Sequence, residues 1–231
     1  MPEKSYLFSR DEFAMLLSKF GINKFYGFDV SSVEETPKKY IVFMNRLVRN
    51  GFLNVGKESL VFCDELREML RCIADCSGVL NFYPTLSYDG TKCCYISGNK
   101  VVLSQISNES DDKIRLFIAD REDLYEMLGD DTISILSDDE DEDSELDYES
   151  KKIVEFAMKN FPESDASVLK AFDHVEWVAD FVDKDSGEIR KRIFVLNGER
   201  CSYIISIDKD NVDINIYTRE RARDVLTSTK I

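Results

Sequence analysis

The stretch KCCYISGNKVVLSQIS, residues 92–107, decides the fold. Two runs rich in β-branched and aromatic residues flank Gly98-Asn99, a dipeptide suited to the tight turn between antiparallel strands. Outward from it, alternating periodicity predicts strands over residues 79–87 and 113–119, with Asp89-Gly90 as a second turn. The four strands form a meander. Asp120-Arg121-Glu122-Asp123 then opens a closing helix carrying Leu124, Met127 and Leu128.

Upstream the period is helical. Ser9-Arg10-Asp11-Glu12 reads as a capping box, followed by Phe13, Leu16, Leu17 and Phe20, with Gly21 as the left-handed stop. Thr36-Pro37 opens a second helix with the stripe Tyr40, Phe43, Met44, Leu47 and Val48, ended by Gly51. Asp64 is the expected cap of a third, which buries Leu66, Met69, Leu70, Ile73 and Ala74.

Downstream the pattern recurs. Ile153, Phe156, Ala157 and Phe161 form a helical stripe broken by Pro162, and a short helix carries Val168, Leu169 and Phe172. Strands are predicted over residues 175–182, 188–196, 200–207 and 212–217, with turns at Asp185-Ser186-Gly187 and Asn197-Gly198 and a helix over 219–226. Gly90 and Gly98 answer Gly187 and Gly198; Arg121-Glu122 answers Arg219-Glu220, and Leu128 answers Leu226. The fold class expected is therefore α+β, an antiparallel sheet from two pseudo-symmetric halves produced by internal duplication and flanked by helical bundles. A lone four-stranded meander exposes unpaired edges, which two copies can satisfy by pairing into one broader sheet; two separate domains on a tether are the other arrangement.

Between the repeats, residues 137–149 read SDDEDEDSELDYE. Such charge density repels itself and has little to bury, so a mobile linker is expected between an N-terminal unit, 1–136, and a C-terminal unit, 150–231, which one fused domain could also contain. A calcium loop would need Gly at its sixth position and Glu at its twelfth, where counting from Asp139 places Ser144 and Ser150.

Composition narrows the function. The 231 residues carry a formal net charge of -15, which opposes a nucleic-acid partner because affinity for phosphates depends on Lys and Arg. No run has the length of a bilayer span or the core of a secretory signal, so no membrane insertion and a cytoplasmic location are expected. Six cysteines accompany one histidine, His174; Cys72 and Cys76 share a helical face as core residues would, and Cys93 and Cys94 point to opposite faces of a strand. His174 reads as a turn residue, Asp183 and Asp185 as turn acids, and Trp177 as a core or inter-layer residue, with Phe82 and Tyr83 on the matching strand of the first half. With no Gly-rich phosphate loop, HExxH, GxSxG or CxxC, no enzyme, cofactor or metal is called for.

Several segments together resemble the EspG-like chaperones of type VII secretion systems: FSRDEFAMLLSKFG from Phe8, RNGFL from Arg49, CDELREML from Cys63, and WVADFVDKDSG from Trp177. The chain departs from that family in a shorter second helical region and in the acidic linker. The resemblance implies a pseudo-two-fold protein that binds small helical secreted proteins in the cytosol and keeps them soluble. Candidate partner contacts are the loops 97–100 and 108–113, with Ser97, Asn99, Lys100, Asn108, Asp111 and Lys113, and the helix 153–161, whose Phe156 and Phe161 would serve as anchors or as core. Two other functions fit the composition: an acidic, immunity-like protein that neutralises a toxin, and a small-molecule sensor or enzyme with a pocket between the sheet halves.

Overall fold

The computed structural model describes residues 5–22, 25–26, 36–56, 60–84, 91–107, 110–128, 145–209 and 211–229. Its centre is a nine-stranded antiparallel sheet in the order β1-β7-β6-β5-β4-β8-β9-β10-β11. The first meander comprises β4 (Gly78–Pro84), β5 (Lys92–Ser97), β6 (Lys100–Ser107) and β7 (Ser110–Asp120). The second comprises β8 (Val175–Asp183), β9 (Ile189–Asn197), β10 (Ser202–Asp208) and β11 (Asn211–Ile216). The two join directly, because β4 pairs with β8 from Gly78↔Asp183 to Pro84↔Trp177. The duplicated halves thus share one sheet, and a continuous ladder occupies the seam where a pocket between them would lie. Phe82 pairs with Ala179 at the same 97-residue offset that separates Gly90 from Gly187 in the sequence, so the approximate dyad passes through this pair.

The turns follow from their residues. Gly98 adopts φ +58°, which permits the two-residue link that sets Ser97 opposite Lys100. Asp183 accepts from the backbone N–H groups of Asp185 and Ser186 at 3.0 and 2.8 Å, winding the turn before Gly187, whose φ is +76°. At Gly198 space decides: an added Cβ would lie 2.7 Å from the Cys201 carbonyl and 3.0 Å from the Asp147 carboxylate.

Three helices cover one face of the first half: α1 (Arg10–Lys19), α2 (Pro37–Arg49) and α3 (Asp64–Asp75). The expected capping box is present at Ser9 and Glu12. Their apolar sides enclose Phe13, Leu16, Leu17, Phe43, Leu47, Leu66, Met69 and Ile73 above Val79, Tyr95 and Val102 of the sheet. On the same face of the second half lie α5 (Tyr148–Lys159) and α6 (Ala166–Lys170), which bury Ile153, Ala157 and Leu169 against Val178, Phe194 and Ile205. The opposite face is closed at its centre by α4 (Leu124–Leu128), preceded by a 3₁₀ turn at Arg121–Asp123, and by its counterpart α7 (Arg219–Ser228). Trp177 is fully buried there, its ring 5.4 Å from that of Phe82 across the seam.

Several elements differ from the sequence expectation. The third helix is capped at Cys63, with no side-chain cap bond, and Asp64 is its first residue, where its charge favours the helix N-terminus. Residues 6–9, for which the sequence reading predicted no strand, form β1 (Tyr6–Ser9), which pairs with β7; Tyr6 and Phe8 are too apolar to remain outside the core. A separate hairpin, β2 (Leu53–Val55) with β3 (Leu60–Phe62), was also unexpected, because each strand holds only three residues. Val48, assigned to the buried stripe of α2, is 39% exposed. Of the acidic stretch, 137–144 lies outside the described residues; Asp147 caps α5 by accepting from Ser150 N at 2.8 Å, and the helix includes the last two linker positions. No helix among the described residues is long and apolar enough to cross a membrane.

A polar cluster around Arg192 is buried in this apolar framework. Arg192 is inaccessible and meets Asp180, its cross-strand partner, through Nε at 2.6 Å and Nη2 at 2.8 Å. Its remaining donors reach Ser164 Oγ at 2.9 Å and Ser164 O at 2.8 Å, fastening the α5–α6 connection to the sheet. Removing one ion leaves the other buried and uncompensated. Arg192→Met should therefore cost about 3–5 kcal/mol by urea denaturation, whereas Asp180→Leu/Arg192→Met together should recover most of that loss. Gly198→Ala should cost about 1–3 kcal/mol in the same assay through overpacking.

Candidate functional site

Burial pushes the Cys72 and Cys93 thiols up to about 12 and raises those of Cys76 and Cys94, so these sulfurs remain protonated near neutrality. Cys72 Sγ faces the Tyr95 carbonyl at 3.5 Å and Cys76 Sγ the Ile73 carbonyl at 3.2 Å, as packed thiols do. No disulfide joins the six cysteines, and among the described residues no three His, Cys, Asp or Glu side chains gather as metal ligands. His174 sits on the turn into β8, half-exposed, 3.7 Å from Glu149. Asp183 is held down to about 2, first by the Ser186 backbone N–H and then by Arg190, so it remains a turn acid.

An open cleft of about 540 Å³ lies where the closing helices of the two halves meet, lined by Asn99, Arg121, Glu122, Asp123, Arg223 and Thr227. Its cations are already engaged, Arg121 with the Thr229 carbonyl and Arg223 with Glu126. Acids and bases alternate around it, so it presents no concentrated charge to a ligand.

The residues expected to contact a partner fall in three separate places. Ser97, Asn99 and Lys100 stand at the β5–β6 turn, where Lys100 Nζ is 3.0 Å from Asp120 and the Asn99 carbonyl accepts from Arg121 N at 2.8 Å. Lys113 lies on β7 opposite Ser9, at the far end of that hairpin, and Asp111 on the same strand. Asn108 lies outside the described residues. Phe156 and Phe161 are half-buried against the second-half core, with the Phe156 and Phe172 rings 5.4 Å apart.

The sequence expectation passed over an apolar surface on α2. Ile41 is 59% exposed and Val42 61%, with Val48 nearly two turns further along, while Phe43 and Leu47 occupy the buried side. The signal was present in Tyr40-Ile-Val-Phe-Met44, five apolar residues in succession and more than one helical face can bury. Other exposed apolar side chains are Val61 of β3, Tyr148 and Met158 of α5, Val168 of α6 and Ile214 of β11, with Tyr148 the most exposed.

No protein-family model and no curated protein sequence matches the chain. Among fourteen matching chains of solved structures is the type VII secretion system chaperone EspG5 of Mycobacterium tuberculosis, determined in complex with a PE25-PPE41 dimer. The match has a TM-score of 0.54 at 12% identity and covers 98% of this chain and 95% of that one. The likeness is one of fold. It spans both halves and agrees with the architecture that the sequence resemblance implied.

A thiol-reactive probe at pH 8 should label the half-exposed Cys63 first, with the buried cysteines reacting slowly until urea opens the fold. Rapid labelling of Cys72 or Cys93 would contradict their placement. In a carboxyl NMR titration Asp183 should have a midpoint near 2, and Ser186→Ala/Arg190→Met should raise it only part of the way toward about 3.9, because the Ser186 backbone N–H, its strongest donor, remains. Because the folded value lies below the unfolded one, the stability from this turn is present above about pH 4 and is lost as pH falls toward 2.

Proposed function

We propose that this chain is a non-enzymatic protein-binding protein, a chaperone or accessory factor for helical substrates of a type VII-like secretion system. The observation that carries the reading is the near-full-length likeness to EspG5, a chaperone determined together with a protein dimer. A shared fold leaves function to the surface, and the surface chemistry supports binding rather than catalysis. The thiols with resolved shifts are raised by burial, the sole histidine is a turn residue, and the buried ion pair of Asp180 and Arg192 serves packing. Exposed aliphatic side chains on α2, by contrast, are what an amphipathic helix can use.

Purified chain mixed with a helical secretion substrate of the PE–PPE type should give a complex of defined mass in size-exclusion chromatography with light scattering. It should also suppress aggregation of that substrate. A mixture that elutes as separate components at 100-fold the concentration of a typical micromolar affinity would overturn the reading.

A further inference from the structure

The outward face of α2 has an ordered pattern. Lys38, Ile41, Val42, Asn45, Val48 and Arg49, each three or four residues from another of the set, are all exposed, so a strip containing aliphatic side chains has a cation at each end. The two cations stand about 16 Å apart along the helix axis, from eleven residue steps at about 1.5 Å each. The helix carries no acid, although the chain as a whole has a net charge of -15. Two further cations of α2 are committed to α1, Lys39 to Asp11 at 3.3 Å and Arg46 to Glu12 at 2.7 Å. Those contacts hold the helix in place and leave Lys38 and Arg49 to define the rim. Phe43 and Leu47 anchor the other side in the core, so the strip is fixed in orientation rather than free to turn inward.

We propose that this face of α2 is a docking site for an amphipathic helix of a partner protein, with an aliphatic stripe bordered at both ends by carboxylates. The proposal rests on the protein-binding reading and adds where the partner sits and what charge it bears. The complementarity is local: two cations about 16 Å apart match acids about eleven residues apart on a facing helix, and aliphatic side chains between them match Ile41, Val42 and Val48. A second copy of the chain fits poorly, since a symmetric contact through α2 brings like-charged rims together. An anionic membrane is disfavoured by the net charge, and the strip lacks the aromatic residues that favour an interface.

The probe is a fluorescein-labelled 18-residue helical peptide with a Leu stripe and Glu at positions 3 and 14. Its control has Lys at those positions. Anisotropy titration of the full chain should show the Glu peptide binding at least tenfold more tightly than the Lys peptide, with affinity falling as salt rises. Ile41→Glu/Val48→Glu should abolish binding, and Lys38→Glu/Arg49→Glu should reverse the peptide preference; all four sites are exposed, and far-UV circular dichroism should be unchanged. Equal affinity for the two peptides, or no effect of either double variant, would overturn the proposal, as would Ile41-dependent dimerisation in light scattering or Ile41-dependent binding to phosphatidylserine vesicles. If the unaltered chain binds the secretion substrate and both double variants bind it equally well, the docking site is wrong and the chaperone reading stands. If the unaltered chain binds no such substrate, the chaperone reading fails, and the peptide titration judges the site by itself.

Discussion

The pairing of β4 with β8 is the constraint on which the rest of the structure depends. Every other strand neighbour in the nine-stranded sheet is local to one meander, except for β1 at its margin. Without the seam, each meander would end in a row of unpaired N–H and C=O groups beside a strongly apolar strand. Once it forms, Phe82 and Trp177 face each other on one side, and the closing helices α4 and α7 meet above them. On the other side Tyr26 and Lys184 reinforce the join: Tyr26 Oη donates to the Lys184 carbonyl at 2.6 Å, and the Lys184 ammonium reaches the final carbonyls of α3. A lysine there favours the negative end of the helix dipole.

Charge and apolarity divide the labour along this scaffold. Among the described residues, the buried Asp180–Arg192 pair is held by four hydrogen bonds from the guanidinium, two to Asp180 and two to Ser164. The exterior is acidic overall, which opposes polyanions, yet α1 and α2 carry more cations than acids between them. Selectivity for a partner in such a molecule resides in these local departures from the mean field rather than in the net charge.

Much of the architecture was legible because it rests on short-range signals. Gly98-Asn99, Asp183 to Gly187, and Thr36-Pro37 each specify a turn or helix start through their own backbone preferences, and the structure uses them accordingly. Repetition of those signals revealed the two halves. What was hidden depends on distant partners: β1 is a strand because β7 offers an edge more than a hundred residues away, and β2 and β3 are too short for periodicity to register. The surface was harder still. A stripe on α2 reads as core in the sequence whether it faces the sheet or solvent, and only the position of the sheet separates Phe43 from Ile41. Ser97, Lys113 and Phe156 were grouped by being loop or stripe residues, and three-dimensional placement sets them apart.

The seam also has a kinetic meaning. Within each meander the strands are hairpin neighbours, so their contacts close small loops and can form early. Pro84 and Trp177, by contrast, pair across 93 residues, and β1 must find β7 across a similar span. Loop-closure entropy grows only slowly with length, but it is spent before the buried aromatic contacts repay it. Folding is therefore expected to proceed as two locally organised sheets followed by their closure on each other, with the inner edges of β4 and β8 exposed to rival strands until that last step.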